Sequence, residues 1–143
     1  MKMHLIEPKT STQTTPTVLL IHPMLSSAEG MKTVLVSNMG DDLRYLIPDL
    51  AAHGEEDATE YTSASQEAAQ IHDWLLEHNI THLSLGFGAS LGGVVLSELL
   101  KFNDLAFDHL FFEGTSFWTG GFLASAMEFV LKKVFLAKHC KAI

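Results

Sequence analysis

At 143 residues the chain has the length of one ordinary domain and can bury a sizeable core. Hydrophobic residues make up 47% and charged residues 18%, which excludes a disordered chain. The formal charge is −8 and no basic stripe occurs, so phosphate backbones are repelled and no nucleic-acid partner is expected.

The N-terminal stretch lacks the apolar core of a signal peptide. No run reaches the roughly 18 uncharged apolar residues of a membrane span, so no membrane partner is expected. Cys140 is the single cysteine, which rules out an intrachain disulfide and any CxxC zinc pair. A reducing, cytoplasmic setting fits that usage.

In chain order, His4-Leu5-Ile6 offers a short first strand. Thr10 to Thr17 is polar and reads as a loop. Val18-Leu19-Leu20-Ile21 is continuous and apolar, as in a strand buried on both faces of a parallel sheet. Ala28 to Ser37 suits a helix. Leu43 to Ile47 is the next strand, which Pro48 is expected to stop. Ser63 and Gln66 have capping-box spacing, and Ala64, Ala68, Ile71 and Leu75 then share one helical face, with Asn79 as the stop. Leu83 to Phe87 is a third buried strand, followed by a helix over Ser90 to Lys101 burying Val94, Val95, Leu99 and Leu100. Leu110-Phe111-Phe112, led by Phe107, is a fourth. This alternation predicts an α/β fold with a mostly parallel, three-layer sheet and right-handed crossovers. After Phe117 the pattern becomes one helical segment, Gly121 to Lys138.

Gly88-Ala89-Ser90-Leu91-Gly92 matches G-x-S-x-G. Chance gives such a match in about 5% of chains this long, so the context must decide its weight. The motif follows an apolar strand and opens a helix, where a serine hydroxyl is thrust above the sheet on a tight turn. Two readings stand side by side here: an activated nucleophile, or a packing turn in which Gly92 and Gly93 let the helix lie close to the sheet. A dinucleotide fingerprint is disfavoured, because Gly86-x-Gly88 is followed by Leu91 where the third glycine belongs.

His22-Pro23-Met24-Leu25-Ser26-Ser27 follows the first buried strand, and Pro48-Asp49-Leu50-Ala51-Ala52-His53-Gly54 follows the second. With the serine motif, in this order and spacing, these segments resemble the α/β-hydrolase fold family over roughly Val18 to Trp118. The resemblance implies Ser90 as nucleophile and the backbone N–H groups of Met24 and Leu91 as the oxyanion hole. His22 and His53 are then structural. No metal and no cofactor are implied. Pro23 and Ala52 stand where the family has glycine, and Ala52 fits only if its φ stays negative.

The family order is serine, acid, histidine. Glu113, at the end of the Leu110–Phe112 strand, is the candidate acid, and His139 the candidate base by chain order alone. An incomplete hydrolase fold is therefore expected, with a core over 1–118 and a lid-like segment over 119–143, acting weakly or not at all on an ester, thioester or amide of a small acyl substrate. The alternative is a non-catalytic binding module that self-associates through the exposed edge of the last strand.

Overall fold

The structure is a computed structural model and describes residues 1–116. The segment from Gly121 to Lys138, His139, Cys140 and the boundary between 118 and 119 lie outside the described residues. Among the described residues five strands form one sheet: β1 (Lys2–Ile6), β2 (Thr17–Ile21), β3 (Arg44–Asp49), β4 (His82–Ala89) and β5 (Ala106–Glu113). Their spatial order is β1-β3-β2-β4-β5, and only the β1–β3 pair is antiparallel.

Helices cover both faces, giving the expected three layers. Every residue of β2 is buried, as its unbroken apolar run requires. Leu19 and Ile21 point to one side, where they meet Leu46 of β3, Ala68, Ile71 and Leu75 of α3 (Ala64–Glu77), and Val95, Leu96 and Leu99 of α4 (Leu91–Leu99). Val18 and Leu20 point to the other, against Tyr45, Ile47, Phe87 and the start of the first helix. Each such side chain contributes about 1.5–3 kcal/mol by leaving water. Truncating the fully buried Ile71 to alanine would cost about 2–5 kcal/mol.

Helix α3 shows how local chemistry sets the ends. The Ser63 hydroxyl accepts from the Gln66 N–H at 3.2 Å, one half of the capping box. At the other end Asn79 takes φ 56°, so that the Asn79 and Ile80 N–H groups bond back to the carbonyls of Leu76 and Leu75. The first helix begins as α1 (Ala28–Met31), passes through a π-helical turn (Lys32–Val36) and ends as α2 (Ser37–Met39). Thr33, Ser37 and Asn38 each donate from the side chain to the carbonyl four residues earlier, which competes with the regular ladder.

Three expectations are corrected. β3 runs through Pro48 to Asp49; its pairing with β2 ends at Leu46, so the proline interrupts nothing on that flank. In α4, Leu96 is buried while Val94 is half-buried and Leu100 exposed, because the helix turns that face to solvent. Thr17 belongs to β2 rather than to the preceding loop.

Candidate active site

β4 delivers the chain to Ser90, and α4 starts at the next residue. Ser90 sits at φ 48°, ψ −111°, a conformation that costs an L-residue about 1–3 kcal/mol unless its surroundings enforce it. They do so through the backbone. Ser90 N–H donates to the Glu113 carbonyl at 2.8 Å, and the Ser90 carbonyl accepts from Gly93 and Val94. A Cβ on Gly88 would lie 2.6 Å from the Gly92 carbonyl oxygen, and one on Gly92 would lie 2.2 Å from that of Ile21. A Cβ on Gly93 would strike Thr115. The glycines thus serve close packing, as the packing-turn reading holds, and by that packing they hold the serine in its strained, exposed position. Among the described residues nothing hydrogen-bonds the Ser90 hydroxyl.

The first turn of α4 rests on the end of β2, since Gly92 abuts the carbonyls of Ile21 and His22. Ile21 is also in register with Gly88. The turn after β2 therefore lies beside the elbow. It is closed by Ser26 N–H to the Pro23 carbonyl at 3.3 Å, with Leu25 at φ 65°. Among the described residues no group accepts from the N–H of Met24 or of Leu91. Leu91 opens α4, so the partial positive charge of the helix N-terminus adds to its donor.

His22 is fully buried with both ring nitrogens engaged. Nε2 accepts from the Leu50 N–H at 3.1 Å, so Nδ1–H donates to the Pro23 carbonyl at 2.8 Å. Burial holds its pKa below the usual histidine value, which keeps this neutral tautomer. No ring nitrogen is left to take a proton from Ser90, so His22 is structural. His53 Nδ1–H donates to the Ala51 carbonyl within its own turn at 2.8 Å, its ring 5.1 Å from that of His22. Ala52 takes φ 65°, against expectation: the turn keeps its left-handed residue although the sequence supplies no glycine there. Gly54 does have one (φ 53°), and its Cβ would land on the Asp49 carboxylate.

Asp49 lies in the segment after Pro48, where nothing in the sequence sets it apart from other strand-end carboxylates. It is buried, and burial alone would raise its pKa. The N–H groups of Ala28 (2.8 Å) and Glu55 (3.0 Å), with His4 Nε2 (2.8 Å), outweigh that and hold it below the usual carboxylate value. His4 carried no sequence signal, being 45 residues away and brought opposite only by the β1–β3 pairing. His4, Asp49 and Glu55 offer three potential metal-ligand atoms within 4.8 Å. Asp49 already accepts from three donors, two on Oδ2 and one on Oδ1, and the Lys2 and Lys32 ammonium groups beside Glu55 and His4 balance the charge. This arrangement suits a hydrogen-bonded knot better than a cation.

Glu113 ends β5 opposite Ala89, next to the elbow, with its side chain exposed. No described histidine lies within hydrogen-bond distance of its carboxylate, and His139 lies outside the described residues. No helix among the described residues is long and apolar enough to cross a membrane.

No protein-family model and no curated protein sequence matches the chain. Solved structures do. An α/β-hydrolase family protein from Desulfitobacterium hafniense matches with TM-score 0.80 and 21% identity, over 95% of this chain and 53% of that one. The N-acyl homoserine lactonase AidH, complexed with N-butanoyl homoserine, matches with TM-score 0.62 and 23% identity, over 79% and 40%. An esterase from Exiguobacterium antarcticum matches with TM-score 0.61 and 16% identity, again over 79% and 40%. The chain spans about half the length of these structures or less, and within that span its fold is that of part of an α/β hydrolase.

Proposed function

We propose that this chain carries the nucleophile and oxyanion donors of a serine hydrolase acting on an ester, thioester or amide of a small acyl substrate. The observation that carries the reading is the backbone of Ser90, left-handed and strained at a strand-to-helix turn, with its hydroxyl exposed. Strain of this kind persists where neighbours over-determine it, and here the glycine contacts do.

In the proposed reaction Ser90 Oγ attacks the acyl carbon while its proton passes to a general base. The N–H groups of Met24 and Leu91 receive the oxyanion. Collapse breaks the bond to the alcohol, thiol or amine, which leaves with the proton, and water then cleaves the acyl-serine by the same steps. His139 is the base and Glu113 the acid we assign by chain order. The scheme needs no metal or cofactor, and we place it in a reducing, cytoplasmic compartment on the strength of the single cysteine. The esterase and lactonase among the similar structures support acyl chemistry as the class.

Intact-mass labelling with a fluorophosphonate probe tests this reading. One-to-one labelling that vanishes in Ser90→Ala supports it, and a folded protein that takes no label overturns it.

A second reading has its own observation. β5 is the last strand of the described sheet, and its Leu110 and Phe111 are 42% and 56% exposed. We infer a self-associating module that pairs through this edge. Sedimentation at micromolar concentration should then show a dimer that Phe111→Glu disperses; a monodisperse wild-type monomer would end that reading.

A further inference from the structure

The proposed oxyanion turn, Pro23 to Ser26, is a short excursion between two anchored points. At its start, His22 Nδ1–H donates to the Pro23 carbonyl. At its end, the Ala28 N–H donates to Asp49 Oδ1 at 2.8 Å, and the Ser27 side chain caps the helix by accepting from Gly30. Asp49 can hold Ala28 only if its carboxylate is itself held in rotation. Oδ2 is fixed by the Glu55 N–H and by His4 Nε2. On the far side of the His4 ring, Lys32 Nζ lies 3.4 Å from Nδ1, so Nδ1 is the acceptor and Nε2–H is the donor to Asp49. Lys32 is in turn paired with Glu29, one helical turn away.

We propose that His4 is a positioning residue for the oxyanion turn: through Asp49 it fixes the Ala28 end of the loop and so the direction of the Met24 N–H. The inference rests on the proposed acyl-transfer site and assigns a working role to β1, which carries no part of the sequence motifs. His4 touches no reacting atom in this scheme. Its loss leaves Asp49 Oδ2 held by the Glu55 N–H alone, which loosens the carboxylate's hold on Ala28 and slackens the turn while the core, held elsewhere by α3 and α4, stays folded.

The test compares wild type, His4→Leu and His4→Gln, the last of which places an amide N–H near the position of Nε2. Two measurements are made on each. The first is fluorophosphonate labelling, separated into the affinity of the initial complex and the rate of inactivation. His4→Leu should lower the inactivation rate about ten-fold with the affinity unchanged, and His4→Gln should recover most of it, since a misdirected oxyanion donor loses part of what its removal costs. The second is amide hydrogen exchange in a Ser90→Ala background, which needs no chemistry. His4→Leu should speed exchange at Ala28, with His4→Gln again restoring protection. If the wild type takes no label, the acyl-transfer reading falls, and exchange at Ala28 alone decides the role of His4. Unchanged protection at Ala28 in a folded His4→Leu protein overturns the proposal, whatever the labelling shows.

Discussion

Two kinds of turn meet at the same end of this sheet, and both force residues other than glycine into left-handed backbone. In the elbow after β4 the strained residue is Ser90, and to keep it there Gly88 and Gly92 press against backbone while Gly93 lies against the Thr115 side chain. In the turns after β2 and β3 the strained residues are Leu25 and Ala52, and no such glycine packing surrounds them. Those turns are held by buried polar side chains instead: His22 reaches from one turn to Leu50, and Asp49 reaches back to Ala28. A backbone can thus be clamped by the absence of side chains or by side chains that act as surrogate backbone. The first device tolerates no added atom; the second tolerates no lost hydrogen bond.

The largest effects should come from breaking each device. Asp49→Ala strips the Ala28 and Glu55 N–H groups and His4 of their buried acceptor. Urea unfolding should show a loss of about 4 kcal/mol. A loss below about 1 kcal/mol would mean that water replaces the carboxylate and that the polar clamp is dispensable. Gly92→Ala tests the other device. Its Cβ would sit 2.2 Å from the Ile21 oxygen, so α4 must lift off the end of β2. We expect about 3 kcal/mol of destabilisation and loss of fluorophosphonate labelling even in the fraction that stays folded. Labelling at the wild-type rate would show that the elbow does not depend on this contact.

A smaller effect separates the two devices by pH. Burial depresses the pKa of His22 in the folded state, so between that value and about 6.5 the unfolded chain binds the extra proton. Stability contributed by neutral His22 is therefore complete above about pH 6.5, declines as pH falls, and levels off below the folded pKa. Protonation also removes the acceptor for Leu50 N–H. Denaturant midpoints from pH 7.5 to 5 should fall more steeply for wild type than for His22→Gln. Parallel curves would assign the acid sensitivity to other groups.

The same contrast explains what could be read from the sequence. Strands β2 and β4 and helix α3 were visible because their burial is continuous or periodic, and β5 because its Leu110-Phe111-Phe112 run is apolar although the sheet edge leaves it largely exposed. The elbow was visible because close backbone approach demands glycine at fixed spacing. Polar clamps leave no such trace. Asp49 looks like any strand-end carboxylate until β1 is laid antiparallel on β3 and brings His4 opposite it. Pro48 looked like a terminator because its partners on either flank are set by sheet order, which no local pattern encodes. The first helix was legible over Ala28 to Ser37 but its π turn was not, since the hydroxyl and amide bonds that compete with the ladder depend on rotamers.

The smallest effect bears most directly on the second device. Ala52 holds φ 65° where a glycine would be unstrained. Left-handed backbone costs an alanine about 1–2 kcal/mol, and glycine would remove that. Against this, glycine gains about 0.5–1 kcal/mol of freedom in the unfolded chain. The difference predicts that Ala52→Gly stabilises the protein by about 0.5 kcal/mol, or leaves it unchanged, where an Ala→Gly change in ordinary backbone would destabilise. The Ala52 N–H bonds the Glu56 carbonyl at 2.9 Å and is kept by the substitution, so the turn itself should not move. A clear loss of stability would mean that the turn relaxes Ala52 out of the left-handed region in solution, and that the Asp49 knot holds the β3 end less firmly than its hydrogen bonds imply.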